Sequence, residues 1–199
     1  MMNMPRLVAV LMLFTTGLVA GCASAPGDSA LFVLDDGPEP ASGAPIPGAP
    51  TLSVDPVVIA DYLNQGGIVF QTAPYKVVIA NNNRWAAPLA GQLTDTLYNV
   101  LSRRLRQINV QRGRARGDTA FALVTRVEKF YGSHHGQAHV AGVWQLVDDQ
   151  GTPLRRENFD QAIALDQDGY GELVARLSEG WQSIAADMSP PIAASLSQR

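Results

Sequence analysis

Few residues of this 199-residue chain could do chemistry: one cysteine, three histidines and two close acidic pairs. Cys22 follows Val19-Ala20-Gly21, at the end of an apolar run that begins after Arg6. A thiol behind two small residues is what a bacterial lipoprotein lipobox needs for thioether acylation and cleavage. An ordinary secretory signal with a chance cysteine is the competing reading, and the position of the sole cysteine disfavours it. His134, His135 and His139 lie within six residues, close enough to suggest zinc or copper. On a strand, however, positions 135 and 139 share a face and 134 points away. No carboxylate pattern completes a site, so a polar hairpin turn is the better explanation. Asp148-Asp149 and Asp166/Asp168 fall in turn-like sequence, where aspartate bonds its own backbone.

The remaining catalytic signatures are missing. There is no G-x-S-x-G, no P-loop and no G-x-G-x-x-G. An acylated Cys22 cannot be a nucleophile. The chain therefore reads as non-enzymatic, with no cofactor and no metal.

The elements that must position these residues begin with the leader. Met1–Arg6 carries one positive charge, and Leu7–Val19 is apolar except for Thr15, Thr16 and Gly17. A run of about 13 residues is short of the roughly 20 that cross a hydrocarbon core. Residues 1–21 thus read as an export signal. If Cys22 becomes the first mature residue, it carries three acyl chains, and each buried methylene contributes about 0.8 kcal/mol. Ala23 stands where many inner-membrane lipoproteins have aspartate, which points to the outer membrane with the body facing the periplasm. With no second cysteine, the fold must rest on its core.

Loss of Arg6 with the leader leaves 14 basic and 18 acidic side chains, a net charge of −4. Lysine is confined to Lys76 and Lys129, and no basic surplus argues for nucleic acid. Residues 22–30 read as the acylated cysteine and a tether, 31–188 as one domain, and 189–199 as a tail. A tether of about eight residues reaches at most roughly 28 Å.

Five prolines at 38, 40, 45, 47 and 50 predict a flexible or polyproline-like loop. Strands are predicted at 31–34, 52–58, 68–70 and 76–79, with a helical turn at 59–63. Leu89, Leu93, Leu97, Leu101 and Leu105 recur every fourth residue, which predicts a helix over 88–108 with Pro88 at its first position. Alternation over 121–127, 140–146 and 159–165, with turns at 132–136 and 148–151, predicts an antiparallel meander. Leu173, Leu177, Trp181, Ile184 and Met188 predict a helix over 170–188, halted by Pro190-Pro191. This order favours an α+β fold: a mixed, largely antiparallel sheet with two long helices packed on one face.

Three further residues are candidates for partner contact. Arg84-Trp85 precedes the first helix, and Trp85 there is better read as a buried anchor. Tyr131, beside Gly132, is expected to be exposed at a hairpin tip, where scaffolds present contacts.

The lipobox, Leu31-Phe32-Val33-Leu34-Asp35, Val54-Asp55-Pro56-Val57-Val58-Ile59, Tyr62-Leu63, Ile68-Val69 and Asn82-Asn83-Arg84-Trp85-Ala86-Ala87-Pro88-Leu89 together resemble the ABC-type transport auxiliary lipoprotein family. The Arg-Trp-Ala-x-Pro-Leu junction is the most specific element. Where the family usually has Pro-x-Tyr-Leu-Asp-Arg, this chain has Ala60 for the proline and Asn64-Gln65-Gly66-Gly67 in place of the Asp-Arg part. The resemblance implies an envelope protein working beside an MCE-domain protein and its permease in lipid transport between two membranes, with several copies in a ring. The alternatives are a lipoprotein that binds lipid or lipopolysaccharide directly, and a structural lipoprotein of a pilus or secretion system.

Cys22→Ala should abolish incorporation of labelled palmitate and move the chain from the detergent phase to the aqueous phase on phase separation.

Overall fold

The computed structural model describes residues 29–37, 39–40, 43–113 and 120–197. In chain order they form β1 (Ala30–Phe32), β2 (Thr51–Val54), β3 (Val58–Ile59), β4 (Gly67–Ala73), β5 (Lys76–Trp85), α1 (Leu89–Arg104), β6 (Asn109–Arg112), β7 (Ala120–Ser133), β8 (Gln137–Asp148), β9 (Pro153–Ala164) and α2 (Tyr170–Leu196). A single 3-10 turn spans Asp61–Leu63.

The sheet is arranged around β7. Phe121, Leu123, Thr125 and Val127 are buried, while Val124, Arg126 and Glu128 on the other face are exposed. One edge of β7 pairs antiparallel with β8 along nearly its whole length, and β8 pairs antiparallel with β9. The other edge is shared, in order, by three short parallel segments. β2 lies beside Ala120–Leu123, β3 beside Arg126–Val127, and β4 beside Gly132–Ser133. Pro56 separates β2 from β3 because it has no N–H to give to the ladder. β4 turns back into β5, and β1 adds in parallel to the end of β5. β6 adds in parallel to β2.

A β-bulge interrupts β7 between Val127 and Lys129. The Glu128 carbonyl accepts a hydrogen bond from the Tyr62 hydroxyl at 2.5 Å. Gly142 faces Val127 across the ladder, and a Cβ there would lie 2.1 Å from the Arg126 carbonyl oxygen. Only glycine lets the two backbones approach so closely. The extra residue reverses the side-chain parity of β7. Before the bulge odd-numbered residues face the core; after it Phe130 and Gly132 do.

Both helices lie on one face and against each other. α2 covers β7, β8 and β9, and α1 covers β2 and β6. Leu93, Leu97, Leu101, Leu123, Leu146, Leu177 and Trp181 are fully buried between the layers. The Trp181 indole N–H, which would be costly to bury unpaired, donates to the Leu93 carbonyl at 2.9 Å. The α+β arrangement with a mixed sheet and two helices is therefore the one expected. The long pairings are antiparallel, and the parallel ones are short.

Two expected helix ends are corrected. α1 stops at Arg104 because Leu105 leaves helical geometry (φ −96°, ψ 56°), and the chain straightens into β6. Pro88 stands at its N-cap, one place before the first turn. α2 continues through Pro190 and Pro191 to Leu196. The two prolines cost backbone hydrogen bonds, but the last turns bury Ile192 and Leu196. The Ser195 hydroxyl also caps the Pro191 carbonyl at 2.8 Å.

The proline-rich segment is a strap across α1 rather than a free loop. Asn109 holds Ile46 through both its backbone N–H and its carbonyl, at 2.8 and 2.9 Å. Arg103 donates to the Glu39 carbonyl at 3.3 Å, and Asn99 to the Asp36 carbonyl at 3.1 Å.

Gly142→Ala should destabilise the fold by about 2 kcal/mol through overpacking at the bulge, lowering Tm by about 4–8 °C in a calorimetric scan.

Candidate functional site

Cys22 lies outside the described residues. The three partner candidates lie within them, and the structure does not bring them together at one site. Trp85 is the last residue of β5 and precedes the helix, as expected. Its ring is buried with its centroid 6.1 Å from that of Phe130, as expected of an anchor. Its backbone N–H donates to the Gly66 carbonyl at 2.9 Å.

Arg84 points the other way and is exposed. It pairs with Leu31 of β1 on one side and Gly67 of β4 on the other. Leu31 and Val33 are both 65% exposed, so Arg84 stands beside exposed apolar residues of the neighbouring strand and its continuation. The Gly66-Gly67 step is packed tightly against Arg84 and β5. Gly66 has φ +77°, and a Cβ there would lie 3.1 Å from the Arg84 Nη2. On Gly67 a Cβ would meet the Ala80 carbonyl at 2.2 Å. The glycines make room for Arg84 and let β4 close against β5.

Tyr131 is not exposed at a hairpin tip; that expectation is corrected. β7 runs two residues further, to Ser133, and the turn occupies 134–136. Tyr131 is inside the ladder opposite His139, with ring centroids 5.5 Å apart, and only 9% of its surface is accessible. The bulge sets this arrangement by turning Tyr131 to the sheet face away from the helices. Sequence alternation alone could not reveal that switch. Tyr62 lies near the same face. Burial, then the proximity of Tyr131 and Glu128, pushes the Tyr62 phenol up to about 12.

The histidines separate. His134 and His135 are exposed on the turn with ring centroids 3.9 Å apart. His139 is half-buried, its Nε2 3.2 Å from the Ser133 hydroxyl. Burial, and then the charge of Lys129, hold His139 below the usual imidazole range, against an opposing pull from Asp160. Asp148 closes its own turn, accepting from the Gln150 and Thr152 N–H groups at 3.0 and 2.7 Å. Asp166 meets Arg176, which also binds Glu172 at 2.7 Å and Glu179 at 2.8 Å. These acidic residues therefore serve turn and helix-end structure.

The described residues form one α+β unit of mixed sheet and two helices that leaves Leu31, Val33 and Arg84 exposed. Residues 32–189 match the ABC-type transport auxiliary lipoprotein component model, and the chain belongs to that family. It is 34% identical over 174 residues to the intermembrane transport lipoprotein PqiC of Escherichia coli (strain K12), covering 87% of this chain and 91% of that one. A crystal structure of an uncharacterized protein superposes with a TM-score of 0.72 at 32% identity, covering 83% of this chain and 99% of that one. A crystal structure of a Xanthomonas campestris protein shares the fold, with a TM-score of 0.64 at 16% identity over 86% and 95% of the two chains.

The lowered His139 has a consequence for stability. An unfolded chain takes up a proton near pH 6.5 that the folded imidazole resists, so stability should fall as pH drops below that value. His139→Gln should flatten this dependence between pH 7 and 5, read as urea midpoints at each pH.

Proposed function

We propose that the chain, acylated at Cys22, sits on the inner leaflet of the outer membrane and docks the periplasmic end of a lipid conduit. An MCE-domain protein and its permease would form that conduit, and several copies of this chain would close around it as a ring. The observation that carries this reading is the family match over residues 32–189, behind a lipobox. The similarity to an intermembrane transport lipoprotein over most of both chains supports it.

The role is non-catalytic in this reading. Arg84 makes the partner contact, with Leu31 and Val33 supplying apolar surface beside it. Trp85 and Tyr131 are buried, so they act from behind: Trp85 fixes the end of β5 on Phe130, and Tyr131 packs the opposite face of the sheet. Interfaces favour this combination of a rigid arginine and flanking apolar groups.

A lipid carrier would need an apolar cavity between sheet and helices. That space is filled by Leu93, Leu97, Leu101, Leu123, Leu146 and Trp181. The filled core supports docking over direct cargo binding.

Affinity capture from cross-linked envelopes should recover an MCE-domain protein with the wild type and lose it with Cys22→Ala. Arg84→Glu should weaken capture while leaving acylation intact. Recovery of phospholipid or lipopolysaccharide without an MCE protein would move the function to cargo binding.

A further inference from the structure

The β4–β5 hairpin carries the largest exposed apolar group in the described residues. Tyr75 at its tip is fully exposed, and Val77, Val78 and Ile79 are 41%, 49% and 36% exposed. The last row of sheet that supports the hairpin is Gln71 beside Ser133, where the His134 N–H donates to the Gln71 carbonyl at 2.9 Å. β7 ends at that level, so the hairpin from Thr72 to Lys76 projects past the end of the sheet.

The tip is costly in a way the fold does not need. Ala73 pairs with Lys76, which leaves Pro74-Tyr75 as a two-residue loop. Tyr75 has φ +64°, the only positive φ of a non-glycine among the described residues. That position favours glycine or asparagine, and a bulky residue there is strained. An aromatic that accepts this strain while fully exposed is placed for something outside the chain.

The direction of β1 says what that is. β1 runs parallel to β5, with Ala30 beside Asn83. The chain therefore comes to β1 from the side of the hairpin tip. Cys22 and Ala30 are eight positions apart, and so are Tyr75 and Asn83. Counted as length alone, an extended tether covers about 26 Å, the same span as the arm. Anchor and tip can thus stand at one level.

We infer that the β4–β5 hairpin is a second membrane contact: Tyr75, with Val77, Val78 and Ile79, enters the lipid surface in which the Cys22 acyl chains are held. Tyrosine suits this place because its ring is apolar and its hydroxyl stays among the headgroups. Lys76 keeps its ammonium in the headgroup layer while its stem lies on apolar surface. Two contacts fix the orientation of the body, where one tether would leave it free to swivel. The far end, with the α1 C-terminus and the 148–151 turn, is directed into the periplasm.

This inference rests on acylation at Cys22 for its orientation. The full acylated chain has no free thiol, so one introduced cysteine can be labelled uniquely. Lys76→Cys and, as control, Asp149→Cys would each carry an environment-sensitive dye. Each would be reconstituted at high lipid excess in vesicles of phosphatidylethanolamine and phosphatidylglycerol, with acylation verified by mass. The expected result is a blue-shifted emission at 76, quenched by nitroxide-labelled lipid, and an aqueous emission at 149. Adding Tyr75→Ser and Val78→Ser to Lys76→Cys should reverse the shift with the circular dichroism unchanged. An aqueous signal at 76 on a chain bearing the acyl mass overturns the inference and leaves the tip to a protein partner. Lack of acyl mass on Cys22 overturns the anchor reading itself, and this orientation with it.

Discussion

The structure depends on the requirement that both edges of β7 find backbone partners. A strand of 14 residues exposes a ladder of N–H and C=O groups on each side, and burying them unpaired would be costly. β8 satisfies one edge alone. The other edge is covered by a chain that makes three separate approaches, at 51–54, 58–59 and 70–71. Between approaches the chain cannot stay in the ladder: Pro56 interrupts it once, and the 3-10 turn at 61–63 lifts it away before β4. That excursion brings Tyr62 over the bulge, where its hydroxyl satisfies the Glu128 carbonyl. The bulge, the turn and the glycine at 142 are thus parts of one solution.

The same requirement decides which side chains can meet a partner. The bulge places Phe130 under Trp85 and sends Tyr131 to the opposite face beside His139. With Trp85 locked inward, strand alternation forces Arg84 outward next to Leu31. Arg84 is therefore presented by rigid backbone on both sides, a better platform for recognition than a loop would be. The glycines at 66 and 67 belong to this arrangement: Gly66 has φ +77°, which a larger residue rarely adopts, and a side chain on Gly67 would collide with β5.

Much of this was legible in the chain itself. The leucine repeat located α1 and the alternation located the meander, because one buried face imposes period 3.6 or period 2 directly on composition. What stayed hidden depended on contacts distant in sequence. β6 is a short polar segment that is a strand only because β2 lies beside it. The end of α2 runs through two prolines because Ile192 and Leu196 are buried, a tertiary effect that outweighs local propensity. The misplacement of Tyr131 came from a single bulged residue, which leaves no signature in hydrophobic pattern yet inverts every side chain after it. Of the candidate site, Trp85 and Arg84 could be located by motif, but their opposite orientations needed the strand.

The fold also has a direction that bears on how a tethered protein works. The chain reaches β1 from the hairpin end, and α1 ends beside the proline-rich strap, far from the hairpin. An acyl anchor alone fixes position but not tilt, because a tether of several residues is a swivel. A docking protein that must meet a conduit from the opposite membrane gains from losing that freedom before the encounter, since the orientational entropy is then removed in advance. If the β4–β5 tip meets the lipid as proposed, Tyr75 in its strained turn would remove that freedom, and the strain is borne by the long pairing of β4 with β5 behind it.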